Sequence, residues 1–125
     1  MSTKLQDFAN EAILGIGLAP QTITATTNGN SGDMVNGDGL CFALQQVGTV
    51  TGTSPTLAGK IQESTDGSTW TDVAGATFAT VTASTNNQCI AFERTKRFLR
   101  YVGTVGGTTP NFAIAVVISQ QKKQI

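Results

Sequence analysis

The closing apolar run, Phe112-Ala113-Ile114-Ala115-Val116-Val117-Ile118, sets Phe112, Ile114, Val116 and Ile118 on one parity and Ala113, Ala115 and Ser119 on the other. Side chains two residues apart share a face only in an extended strand, so the run predicts a β-strand with one face in a core. Upstream, Phe98-Leu99-Arg100-Tyr101-Val102 predicts a second strand. The intervening Gly106-Gly107-Thr108-Thr109-Pro110 predicts a reversal, so the chain is expected to end in a β-hairpin. The same alternation of strand and Gly/Thr/Asn/Asp turn recurs from Gln21 onward.

Residues 22–27 are rich in β-branched side chains and predict a strand. Residues 28–39 hold four glycines among Asn and Asp, which predicts a long surface loop. Leu40, Phe42 and Leu44 then share a parity and are read as the core face of a strand running to Thr49. After a second loop at 52–55, residues 57–63 predict a half-solvated strand. Asp66-Gly67 is a strong tight-turn signal, because Gly accepts the positive φ such a turn needs, and it should pair 57–63 with 70–73. Further strands are expected at 76–83, 88–92, 98–105 and 111–119. About eight short strands at this spacing predict an all-β fold, a jelly roll or related antiparallel β-sandwich. Two segments echo one another: residues 48–57 and 103–112 each read Gly-Thr-Val, a short turn, then Pro and a new strand. Duplication of a hairpin and repeated use of one turn solution both account for the echo.

The first twenty residues differ. Leu5, Phe8, Ala12 and Ile13 recur at helical spacing, with Ser2 or Thr3 as N-cap and Gly15 and Gly17 as stops. Residues 1–20 are therefore expected to form an N-terminal arm or short helix, and residues 21–125 the β-sandwich domain. The arm has two readings: a cover for the open end of the domain's own core, or a reach to a partner subunit.

At 125 residues there is room for one domain and one core. Only 13% of residues are charged and the formal net charge is zero, so long-range steering toward nucleic acid or anionic membranes is not expected. The opening Met1-Ser2-Thr3-Lys4-Leu5-Gln6-Asp7-Phe8 lacks the pattern of a secretory signal, and no apolar run approaches the roughly 20 residues that span a bilayer. The chain is expected to be made in the cytoplasm. Cys41 and Cys89 are too far apart in sequence for a CxxC motif and are expected as reduced, buried thiols.

Catalytic patterns are sparse. The chain has no His, which removes the commonest general base and zinc ligand. Asp33, Asp38, Glu63, Asp66, Asp72 and Glu93 are the carboxylates available for a glycosidase pair, but Asp33, Asp38 and Asp66 sit where Asp serves turn hydrogen bonds. Residues 28–39 have calcium-loop composition without EF-hand spacing or its closing Glu. The stretch 64–70 resembles the Asp-box turn of sialidase-like propellers with one residue missing. Trp70 is read as core filling rather than a sugar platform. No phosphate-binding loop is present. No enzyme activity, cofactor or metal is expected.

Arg94, Lys96, Arg97 and Arg100 place four cations in seven residues. They suit an acidic protein surface or phosphates, and equally suit a solvated strand edge whose charges prevent edge pairing.

From Lys60 onward, Gln62-Glu63-Ser64-Thr65-Asp66-Gly67-Ser68-Thr69-Trp70-Thr71-Asp72-Val73, Arg97-Phe98-Leu99-Arg100-Tyr101-Val102 and Gly107-Thr108-Thr109-Pro110-Asn111-Phe112 together resemble the small decoration or cement proteins of tailed-bacteriophage virions. The resemblance covers about half the chain and rests on turns and strand edges. It implies a β-sandwich, dimeric or trimeric, that binds the major capsid protein on the outside of an icosahedral head and stabilises it, with no direct nucleic-acid or membrane contact. Leu5, Phe8, Ile13 and Leu14 would then anchor the arm, and Arg94, Lys96, Arg97 and Arg100 would face acidic capsid partners. A tail or head-tail joining subunit is the alternative within the virion. A carbohydrate-binding β-sandwich using Trp70, Tyr101 and residues 28–39 is the alternative of another class.

Overall fold

A computed structural model describes residues 12–35 and 37–122, and over them the protein is all-β. Its strands are β1 (Ala12–Ile23), β2 (Thr27–Asn28), β3 (Gly32–Asp33), β4 (Gly37–Ser64), β5 (Thr71–Thr77), β6 (Asn86–Phe92) and β7 (Phe98–Lys122). All pairings are antiparallel.

Two strands dominate. β4 has 28 residues and β7 has 25, and they pair from Gly37↔Lys122 to Ser64↔Phe98. A straight strand of that length would span about 90 Å, against a diameter of about 35 Å for a compact chain of this size, so the ribbon must bend. The bend lies where the register shifts, between Val47/Val50, Thr51/Thr53 and Thr53/Thr56. Here the two echoed segments face each other. Gly52 and Gly107 have φ of 115° and 108°, and Ser54 and Thr109 have φ of 49° and 45°. A Cβ on Gly52 would sit 2.7 Å from the Thr109 carbonyl oxygen, and one on Gly107 would sit 2.6 Å from that of Ser54. Gly-Thr-Ser-Pro and Gly-Thr-Thr-Pro thus form a corner with local two-fold character, and Pro55 and Pro110, which lack an N–H, fall outside the ladder.

The corner divides the sheet into two layers. The first has the order β1, β7 (112–121), β4 (41–47), β6. The second has β2 and β3 against β7 (98–103), then β4 (57–64), then β5. The layers pack face to face as a β-sandwich around Cys41, Ala43, Val47, Phe112, Ile114, Val116 and Ile118 from the first, and Leu57, Ile61, Val73, Leu99 and Tyr101 from the second. Gln45 and Tyr101 join them across the core, the phenol donating to Gln45 Oε1. The Tyr101 ring meets Phe78 edge-on at 6.1 Å.

Several expectations change. The terminal hairpin does not exist: residues 98–122 are one strand, because the Gly-to-Pro motif is met across the ladder by its own copy and bends the ribbon without reversing it. The helical reading of residues 1–20 is corrected for its second half, since Ala12–Ile23 is a strand that crosses the expected domain boundary and pairs with β7. Residues 28–39 are no free loop, because Asn28, Gly32 and Asp33 pair with β7 and Met34 is buried. Of the strand expected at 76–83, Ala76 and Thr77 belong to the end of β5, and residues 78–83 carry only the isolated bridge Leu57↔Val81. The hairpin expected around Asp66-Gly67 forms, with Gln62↔Asp72 and Glu63↔Thr71, but its strands are joined by a loop over residues 65–70 in place of a tight turn.

The core face of β4 is the opposite parity to the one expected. Cys41, Ala43, Gln45 and Val47 are buried, while Leu40 is 56% exposed and Phe42 and Leu44 are half-buried on the outside. The reason lies in β7: Ala43 pairs with Ile118 and Val47 with Ile114, so bulky β7 side chains fill the interlayer space and leave room for small neighbours on β4.

Candidate functional site

The cation cluster lies on the 93–97 connection and the start of β7, where the chain passes from β6 in the first layer to the second. Arg94 reaches inward: Nε donates to Gln120 Oε1 at 2.8 Å, Nη1 to the Lys96 carbonyl at 3.0 Å, and Nη2 to the carbonyls of Met34 and Gly37 at 2.6 and 3.1 Å. Through Arg94 the carbonyls of Met34 and Gly37, the latter opening β4, are joined to Gln120 of β7. Glu63, nearly buried, accepts from Thr95 N and Oγ1 at 2.8 and 2.9 Å and from Lys96 N at 3.2 Å, holding the same connection from below.

The other three cations also have partners within the chain. Arg97 makes a two-pronged pair with Asp33, Nε to Oδ1 at 2.8 Å and Nη2 to Oδ2 at 2.7 Å, and lies over the Phe98 ring. That pairing, above all, holds the Asp33 carboxyl below its ordinary range, and it occupies the carboxylate a calcium loop would need. Arg100 donates twice to Gln62 Oε1 and stacks 4.6 Å above the Trp70 ring. Lys96 Nζ donates to Thr71 Oγ1 at 3.1 Å. Gln62 and Lys60 in turn donate to Asp72, whose carboxyl is lowered chiefly by the Gln62 bond. The outer surface of the second layer is therefore a polar lattice that satisfies itself.

Trp70 is half-buried under Arg100 and is absent from the core that sequence reading assigned it to. Tyr101 is wholly buried, and burial pushes its phenol upward, so it offers no platform for a sugar. The cysteines also separate. Cys41 is buried, with its thiol raised by burial, while Cys89 is exposed on the far face of the layer and both are free. Of the arm residues, Ile13 and Leu14 pair through the β1 backbone with Gln120 and Ser119, and Leu5 and Phe8 lie outside the described residues.

What sequence reading missed is the outer surface of the first layer. Backbone register sets Cys89, Leu44 and Val117 in one row across β6, β4 and β7; the neighbouring rows are Ala91, Phe42 and a fully buried Ser119 on one side and Asn87, Gln46 and Ala115 on the other. Val117 is 37% exposed and Leu40 56%. On the Ala115 side of Val117 is an open groove of about 390 Å³ lined by Pro20, Gln46, Gly48, Ala113 and Ala115 among others. The outer surface of the first layer is thus apolar around Leu44 and Val117, and that of the second is charged and self-paired. The signal was available in β4, where both parities are apolar and only one of them fits in the core.

No protein-family model matches the chain, and no curated protein matches it. One similar solved structure is described as "Bacillus endospore appendages form a novel family of disulfide-linked pili"; it shares 14% identity over 90% of this chain and 84% of that one, at a TM-score of 0.43. A likeness at that level assigns neither a partner nor a function.

Proposed function

We propose that this protein is a virion structural subunit that binds the outside of an icosahedral phage head through the major capsid protein and reinforces it. The observation that carries a contact role is the apolar outer surface around Leu44 and Val117, set against a charged cluster already satisfied within the chain. Apolar surface on a small sandwich is a feature of interaction sites. The capsid as partner comes from the resemblance of residues 60–112 to decoration proteins. A small rigid subunit repeated by capsid symmetry gains avidity from every copy, which suits modest contact per copy. Leu5 and Phe8, ahead of β1, are proposed as further anchors. Of the cations, Lys96 has a single exposed hydrogen bond and is the one most readily redirected to an acidic partner.

The test is co-sedimentation of the purified protein with expanded and unexpanded capsids of its source phage. Binding to expanded shells that Val117→Glu abolishes supports the reading. Failure to bind either form, with a ring-sized oligomer in solution, moves the assignment to a tail or head-tail joining subunit.

A further inference from the structure

An edge strand exposes a row of unpaired backbone groups, and folded proteins blunt such edges with charge, proline, bulges or brevity. The outer strands of this sheet differ in how far they do so. β1 carries Pro20 and two register shifts. β2 and β3 have two residues each. β5 pairs with β4 through a register shift, and it carries Asp72 and a Gly75 with φ of 77°. β6 has no charge, proline or register shift, and among the described residues its one hydrogen-bonded tie to the second layer is through a side chain, Gln88, which accepts from Ala79 N at 2.8 Å and donates to Ala79 O at 3.0 Å. Asn86-Asn87-Gln88-Cys89-Ile90-Ala91-Phe92 contains no charge and no proline, and it pairs with β4 in unbroken register from Val47↔Asn86 to Cys41↔Phe92. Among the described residues it hydrogen-bonds through its backbone to β4 alone.

We propose that the free edge of β6 is a self-association surface, on which a second copy of this chain adds its own β6 antiparallel about a two-fold axis. A two-fold on a seven-residue strand in full register runs through its middle residue, so Cys89 meets Cys89 of the second copy and Asn87 meets Ala91. The uncharged strand brings no like charges together across that axis, which is the condition self-pairing imposes and a charged edge fails. The exposed Cys89 and Ala91 belong to the apolar rows of the outer surface, so pairing would extend Val117-Leu44-Cys89 into the second copy as one continuous band. This inference goes beyond the capsid reading and is tested on the isolated protein, so either can fail alone.

The experiment measures the mass of the full chain in solution by light scattering across a concentration series. The wild type is expected as a concentration-dependent dimer. Cys89→Lys sets two ammonium groups opposite each other and should weaken the dimer about fivefold. Cys89→Glu should behave alike, and mixing the two variants should restore a one-to-one heterodimer, which also shows that each variant folds. Ala74→Lys, on exposed β5, should leave the dimer unchanged. A wild type that stays monomeric at its highest soluble concentration, or a dimer indifferent to Cys89→Lys, overturns the proposal.

Discussion

Tyr101 and Gln45 show how a single polar contact shapes this core. Both are fully buried, the Tyr101 hydroxyl donates to Gln45 Oε1, and Gln45 Nε2 has no partner among the described residues. Tyr101→Phe removes the donor and strands a buried carbonyl oxygen, so chemical denaturation should report a loss of about 1–3 kcal/mol. Adding Gln45→Leu should recover much of it, because replacing both partners by apolar groups costs less than orphaning one. Asp66 illustrates a residue whose role was readable in advance. Its Oδ1 accepts from Ser68 N, Thr69 N and Ser64 Oγ at 2.8, 3.0 and 2.9 Å, and those bonds, the backbone ones foremost, lower its carboxyl from 3.8 to about 2. A carboxyl depressed in the folded state binds its proton less readily there than in the unfolded chain. Its contribution is therefore complete above pH 3.8 and fades as pH falls toward 2. Thermal melts from pH 5 to 2 should show a difference between wild type and Asp66→Asn that shrinks across that window. The spacing of Asp and Gly in the chain was enough to find this turn, since every bond in it spans three residues or fewer.

At the scale of elements, the corner in the β4–β7 ribbon is the decisive feature. Gly52 and Gly107 each combine a positive φ with a close approach to the opposite strand, so Gly52→Ala and Gly107→Ala should each destabilise by more than about 1 kcal/mol in urea unfolding. Because each glycine rests against the other copy of the motif, the double substitution should depart from the sum of the singles. The two Gly-Thr-Ser/Thr-Pro segments were visible as an echo, and they were read as turns because Gly and Pro punctuate reversals in most chains. Local spacing contains no information on what faces a motif across the ladder. Here it is a second copy about 55 positions away in sequence, and the pair produces a bend. The merging of four expected strands into two long ones follows from the same cause.

Over the whole molecule, the two outer surfaces divide the labour. Lys60, Gln62, Asp72, Trp70 and Arg100 bond and stack among themselves on one, and Phe42, Leu44, Val117, Cys89 and Ala91 lie on the other. If contact with the capsid runs through the apolar surface, binding should change little between low and moderate salt, whereas docking through Arg94, Lys96, Arg97 and Arg100 would weaken steeply. A salt series in the co-sedimentation measurement distinguishes them. The cation cluster stood out in sequence because charge density is visible there. Its internal partners were not, because Asp33 lies 64 residues from Arg97 and Gln62 38 residues from Arg100.

The chain's own pattern of apolar and turn-forming residues was sufficient for an antiparallel β-sandwich, for the reversal of the chain around Asp66-Gly67, and for the buried parity of residues 112–118, since each depends on neighbours two or three positions apart. The tertiary structure alone decided that two Gly-to-Pro motifs would bend a ribbon, that Cys41 and Ala43 would be buried in place of Phe42 and Leu44, and that the cations would be spent inside the fold. Each of those outcomes turns on which strand lies alongside, and strand pairing is a contact between residues that the sequence keeps far apart.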